Sequence, residues 1–143
     1  MVRKIGIIAQ AHIGSSRLPN KMLKDLCGKT VLGHVISRLK LVRYADALII
    51  ATSDLPEDDV IVKECQKYRT DVFRGSNEDV LSRFYHAAVA FELTDIARVC
   101  ADNTLIDWDV MRLQRIGRGS MHSLIRARIS HWGLAAKFFL LTC

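Results

Sequence analysis

The chain has 143 residues, the size of one domain, and half of them are hydrophobic against a quarter charged, which argues against a wholly disordered polypeptide. No apolar run approaches the ~20 residues needed to cross a bilayer, and Met1–Lys4 lead into a short apolar stretch followed by polar residues rather than a cleavage site, so a soluble cytoplasmic protein with no membrane partner is the expectation. The formal charge of +6 sits mostly in the tail: residues 1–107 hold 15 Lys and Arg against 14 Asp and Glu, residues 108–143 hold 6 against 1, so no global positive field points to nucleic acid as the main partner.

Ile5-Gly6-Ile7-Ile8-Ala9 is a continuous apolar run, the pattern of a strand covered on both faces, and it opens into the loop residues Gly14, Ser15, Ser16 and Pro19. Val31, Val35, Leu39 and Val42 then recur at helical spacing behind the cap candidate Thr30. Ala47–Ala51 reads as a second strand, after which Pro56 and Glu57-Asp58-Asp59 suit a helix N-terminus, where carboxylates complement the macrodipole. Asp71-Val72-Phe73 is a minimal third strand. Ser76 and Asp79 have capping-box spacing ahead of a helix carrying Val80, Leu81, Phe84, Tyr85 and Ala88, and Ile96–Cys100 reads as a fourth strand.

Strands alternating with helices in this way predict an α/β fold with a doubly wound, mainly parallel sheet, whose ligands bind at the carboxyl ends of the strands. The loops to watch are therefore 10–21, 52–56, 74–79 and 101–107. Order breaks down after Asp107, and the division expected is an incomplete nucleotide-binding domain over 1–107 and a basic tail, helical or irregular, over 108–143. Two readings of the tail compete, a basic helix pair or a frameshifted or truncated end. The simultaneous change of composition, charge and periodicity favours the second. Cys27, Cys65, Cys100 and Cys143 have no metal-site spacing and read as reduced thiols that fill small gaps. His34, His86, His122 and His131 likewise read as structural.

Gln10 to Lys21 leaves the first strand where a phosphate loop belongs. Its small residues let backbone N–H groups approach an anion, and Arg17 and Lys21 add a planar and a compact cation. A solvated turn with two surface cations is the bland alternative. A dinucleotide fingerprint fails because Gly14 is the loop's lone glycine, and Gly28-Lys29-Thr30 fails as the end of a P-loop because position 23 is Leu23. On residues alone, Asp102 reads as a helix N-cap or a turn with Asn103.

The segments QAHIGSSRLPNKML, VFRGSNEDVLSRFY and CADNTLID together resemble the cytidylyltransferase family that activates acidic sugars of the acylneuraminate and deoxy-octulosonate type, especially its spore-coat polysaccharide branch. The resemblance covers about residues 3–107. It implies the N-terminal portion of a Rossmann-like nucleotidyltransferase fold that joins CTP to a sugar hydroxyl and releases pyrophosphate with Mg²⁺. On this resemblance Ala11, His12, Gly14, Ser15 and Ser16 line the nucleotide, Arg17 and Lys21 hold phosphate and act in catalysis, and Asp102 binds the metal. CTP and an acidic sugar are the implied partners, and a homodimer the implied assembly.

Departures from the family pattern are His12 for an arginine, Asn20 for a glycine, which still tolerates left-handed backbone angles, and Thr104 for a proline. Arg74, Gly75, Asp79 and Arg83 lie in the second matching segment, where Asp79 reads as a cap and Arg83 as a helix-surface cation. The family's acceptor-binding and dimer residues and a second metal-binding aspartate are not found in 108–143, so weak or absent turnover is expected, with a noncatalytic nucleotide-binding or assembly module as the alternative.

Overall fold

The computed structural model describes residues 3–14, 18–102, 104–105, 127–131 and 134–140, the last two stretches by their backbone alone. The elements run β1 (Ile5–Gln10), β2 (Asp25–Leu26), β3 (Lys29–Thr30), α1 (Val31–Leu39), β4 (Ala47–Ser53), α2 (Asp59–Lys67), β5 (Asp71–Gly75), α3 (Val80–Ala90), β6 (Asp95–Cys100), β7 (Ala127–His131) and β8 (Leu134–Leu140). The main sheet has the order β5-β4-β1-β6-β8-β7, and every pairing in it is parallel except β7 with β8. This is the expected doubly wound, mainly parallel sheet.

The alternation of side chains along β1 builds two cores. Ile7 and Ala9 face α1 and α2, packing with Leu32, Ile36 and Ile61, whereas Ile8 faces α3 and packs with Phe84, Ala87 and Ile96. Each fully buried Ile contributes about 1.5–3 kcal/mol by leaving water. The chain steps outward from β1 to β4 to β5, then returns past β1 to β6. With crossovers of one hand, that return places α3 on the face opposite α1 and α2. The winding reverses between β1 and β6, so the loops leaving these two strands flank a crevice at their carboxyl ends.

Local chemistry sets the boundaries. Thr30 caps α1 by accepting from Gly33 N at 2.9 Å, as the sequence predicts. At α3 the cap is Asp79, whose Oδ1 accepts from Ser82 N at 2.8 Å, and Ser76 accepts from Asp79 N one turn earlier. The hairpin β2–β3 turns on Cys27 (φ 55°) and Gly28 (φ 82°), both left-handed, as a two-residue hairpin turn requires. Gly28-Lys29-Thr30 is therefore a hairpin arm. His34 Nε2 lies 2.7 Å from the Leu26 carbonyl, a structural role.

Two sequence expectations are corrected. Instead of a helical or irregular course, Ala127–His131 and Leu134–Leu140 add strands to the sheet, β8 beside β6; Phe138 and Phe139 are the residues of β8 whose type favours a strand. The rest of 108–143 lies outside the described residues. Cys65 is buried and free and Cys27 exposed and free, but Cys100 is disulfide-bonded. Among the described residues no helix is long and apolar enough to cross a membrane.

Candidate active site

The two loops at the strand reversal are tied to the sheet at their roots. Ala11 N donates to Ala51 O and Ala101 N to Gln10 O, both at 3.0 Å, and both alanines are fully buried. Ala11 thus gives its side chain to the core and its N–H to β4, and what it offers a ligand is small size. Asn20 takes the left-handed conformation (φ 56°, ψ 22°), as its substitution for glycine allows, and starts the 3₁₀ turn Lys21–Leu23. That turn brings Lys21 across to the second loop. Lys21 Nζ donates to Asp102 Oδ2 at 2.7 Å, joining two residues 81 positions apart.

Both side chains stay partly open to solvent, 26% for Lys21 and 42% for Asp102. Thr104 N donates to the Asp102 main-chain carbonyl, while the carboxylate accepts from Lys21. His12 is half-buried in the same loop and Gly14 is exposed beside the Glu57 carboxylate. Ser15, Ser16 and Arg17, the other residues assigned to this loop, lie outside the described residues. Among the described residues no group of three or more His, Cys, Asp or Glu could hold a metal. Asp102 offers a hard oxygen donor already facing a cation, which fits a divalent ion that takes its other ligands from phosphate and water.

Asp58 braces this loop from below, a role the sequence reading missed. Its carboxylate is 1% exposed; Oδ1 accepts from Ile13 N at 2.8 Å, and Oδ2 accepts from Thr52 Oγ1 at 2.9 Å, Ser53 N at 3.0 Å and Ser53 Oγ. Burial alone would raise its pKa, but the donors from Ser53, Ile13 and Thr52 together outweigh it and hold the carboxyl below the ordinary range. Arg74 does similar work one strand over, donating to Ser53 O, Leu55 O and Asp59 Oδ1. Thr52 and Ser53 hydroxyls at a strand end, followed by an acid five and six residues on, were the available signal.

Arg83 departs from its expected surface position: it is 2% exposed, with its stem against Gly75, where a Cβ would stand 3.2 Å from Arg83 Cγ. Burial depresses its pKa, while Asp58 and Asp54 oppose that and Arg98 adds to it. The surface reading failed because Arg83 follows Val80 by three positions and so falls on the buried stripe of α3 with Phe84 and Ala87.

The mainly parallel α/β sheet brings Lys21 and Asp102 together at its strand reversal, the place where folds of this class hold their ligands. The cytidylyltransferase family model matches residues 5–114, and the chain belongs to that family. It is 37% identical over 125 residues to the spore coat polysaccharide biosynthesis protein SpsF of Bacillus subtilis, covering 82% of this chain and 52% of that protein. A solved cytidylyltransferase from Leptospira borgpetersenii superposes with a TM-score of 0.77 at 32% identity, over 80% of this chain and 48% of that one. A CMP:2-keto-3-deoxy-manno-octonic acid synthetase complexed with CTP superposes at 0.67 with 26% identity, over 78% and 46%. The chain spans about half the length of the curated relatives it matches.

Proposed function

We propose that the chain carries the nucleotide-binding half of a CTP-dependent sugar nucleotidyltransferase, transferring CMP to the hydroxyl of an acidic sugar in surface polysaccharide biosynthesis. The observation that carries this reading is the 2.7 Å contact between Lys21 and Asp102 at the strand reversal. A loop cation and a strand-end carboxylate meet there, the two charges that a triphosphate with its counter-ion requires. The relatives' names support cytidylyl transfer and polysaccharide biosynthesis.

Mg²⁺, when bound with the nucleotide, supplies a hard Lewis acid that neutralises phosphate oxygens. Asp102 would hold it, and the Lys21 ammonium, which balances that carboxylate in the free chain, would pass to phosphate oxygens and stabilise the charge that builds on the leaving pyrophosphate. Arg17, on the family resemblance, adds a planar donor to the same anion. Asp58 keeps the amide of Ile13 fixed, which anchors the start of the loop that would meet the nucleotide. The attacking sugar hydroxyl displaces pyrophosphate from the α-phosphorus in line, a reaction governed by positioning and electrostatics.

Pyrophosphate release from CTP and Mg²⁺ with a panel of sugar acids tests the reading. Turnover lost in Asp102→Ala supports it. Thermal protection by Mg²⁺-CTP without product assigns the chain to nucleotide binding alone, and absence of both effects refutes the site.

A further inference from the structure

Arg83 and Arg98 stand on the α3 face of the sheet, at the carboxyl ends of the strands, and the phosphate site uses neither. Arg98 sits on β6 opposite Ile8, with its guanidinium 5.1 Å from the centre of the Phe84 ring, and gives one N–H to Gln10 Oε1 at 3.1 Å. Gln10 is the last residue of β1, directly before the nucleotide loop. Arg83, on the adjoining turn of α3, is buried as described above.

Arg83 Nε and Nη1 and Arg98 Nε are buried and have no hydrogen-bond partner among the described residues. Arg74 shows how this fold satisfies a guanidinium that serves structure: its Nε, Nη1 and Nη2 each find an oxygen in the 53–59 segment. Arg83 Nε and Nη1 and Arg98 Nε are left as donors without acceptors, and the Arg98 charge nearby opposes the ionisation of Arg83. Of the two carboxylates that act on Arg83, Asp58 and Asp54, Asp58 is already engaged by Ile13, Thr52 and Ser53. Unanswered buried donors are costly, and a planar oxyanion is the acceptor whose shape fits guanidinium forks.

We propose that Arg83 and Arg98 form a carboxylate-reading subsite that receives the acid group of the acceptor sugar, on the face of the sheet next to the nucleotide loop. The inference rests on the acceptor reading above. A carboxylate suits the site better than phosphate because Asp58 and Asp54 already offset much of the local positive charge, so a single negative charge meets less repulsion there than a doubly charged phosphate would. Arg98 and Arg83 would then be specificity residues that touch the substrate away from the reacting hydroxyl.

The test is calorimetric titration of the full chain with N-acetylneuraminate and 3-deoxy-manno-octulosonate, with the methyl ester of each, and separately with Mg²⁺-CTP. The unsubstituted chain should bind at least one acid about tenfold or more tighter than its ester, as expected for a charge-assisted bidentate contact. Arg98→Met, which keeps the stem on Phe84, should abolish that preference while Mg²⁺-CTP affinity stays within about twofold. Arg83→Lys keeps the charge without the fork and should weaken the preference, which preserves the test if Arg98→Met does not fold. Equal binding of acid and ester, or no binding of either acid, overturns the subsite. Loss of CTP or cytidine binding in Arg98→Met matching the loss for the acid also overturns it, by assigning the guanidiniums to the nucleotide. An intact acid preference in a chain that does not bind Mg²⁺-CTP would instead sink the nucleotide reading and leave the subsite standing.

Discussion

Replacing Asp58 with Asn isolates what the buried carboxylate does for the nucleotide loop. The change is nearly isosteric, but one acceptor oxygen becomes an NH₂. If the remaining oxygen stays with Thr52 and Ser53, as three donors there favour, the amide faces Ile13 N, donor against donor. One hydrogen bond to a charged group is lost, about 1.5–3 kcal/mol, and a buried N–H is left unanswered, so a destabilisation of about 3 kcal/mol is expected.

The sign of the pH dependence follows from the lowered pKa of Asp58. Its contribution is fully present above the unfolded carboxylate value of about 4 and is lost as pH falls through the still lower folded value. Urea unfolding of the two proteins should therefore differ by about 3 kcal/mol at pH 7, with the gap narrowing as the pH falls below 4. Mg²⁺-CTP affinity should fall together with stability at neutral pH. A difference under about 0.5 kcal/mol at pH 7, or one that does not change with acidification, would refute the assignment of Asp58 as an ionised brace.

Lys21→Gln should change unfolding free energy by no more than about 1 kcal/mol, because its pair with Asp102 is partly solvent-exposed. The same variant should lose most of the thermal protection given by Mg²⁺-CTP, together with any pyrophosphate release the chain shows; stability and nucleotide binding measured side by side separate a ligand role from a structural one. Thr30→Ala removes the α1 cap and a 2.7 Å donor to the buried Glu64, so urea titration should show a loss of about 2–3 kcal/mol, with Thr30→Ser recovering most of it. Burial pushes the Cys65 thiol up to about 12, whereas Cys27 is exposed. A thiol reagent at pH 8 should label Cys27 in the folded chain and reach Cys65 only on unfolding, as mass mapping of the labelled peptides would show.

The elements that could be read from sequence are those whose side chains repeat. Ile5–Ala9 and Ala47–Ala51 are continuous apolar runs because α1 and α2 cover one face of each strand and α3 the other, so both faces demand hydrophobic residues. The hairpin β2–β3 escaped because strands of two residues have no period to detect, and its glycine was weighed as part of a phosphate loop instead. The tail strands escaped because a lone glycine, Gly133, is the turn signal between them in sequence, and neither segment alternates apolar with polar residues cleanly enough to announce a strand.

Residues of the candidate site were legible where their chemistry is local to a loop, and hidden where it depends on which way a side chain faces. Lys21 and Asp102 stand out as charges on loops at strand ends. Glu57-Asp58-Asp59 looks like three equivalent acids serving a helix dipole, yet Asp58 alone among them is buried, and only its hydrogen bonds to Thr52, Ser53 and Ile13 reveal the difference. Arg98 carried its own warning. A cation inside the run Ile96-Ala97-Arg98-Val99-Cys100 contradicts the burial that the run itself implies, and such a contradiction is resolved either by a protein acceptor or by a ligand. Gln10 answers one of its N–H groups, and the unanswered Nε is why the α3 face of the site merits the sugar-acid titration.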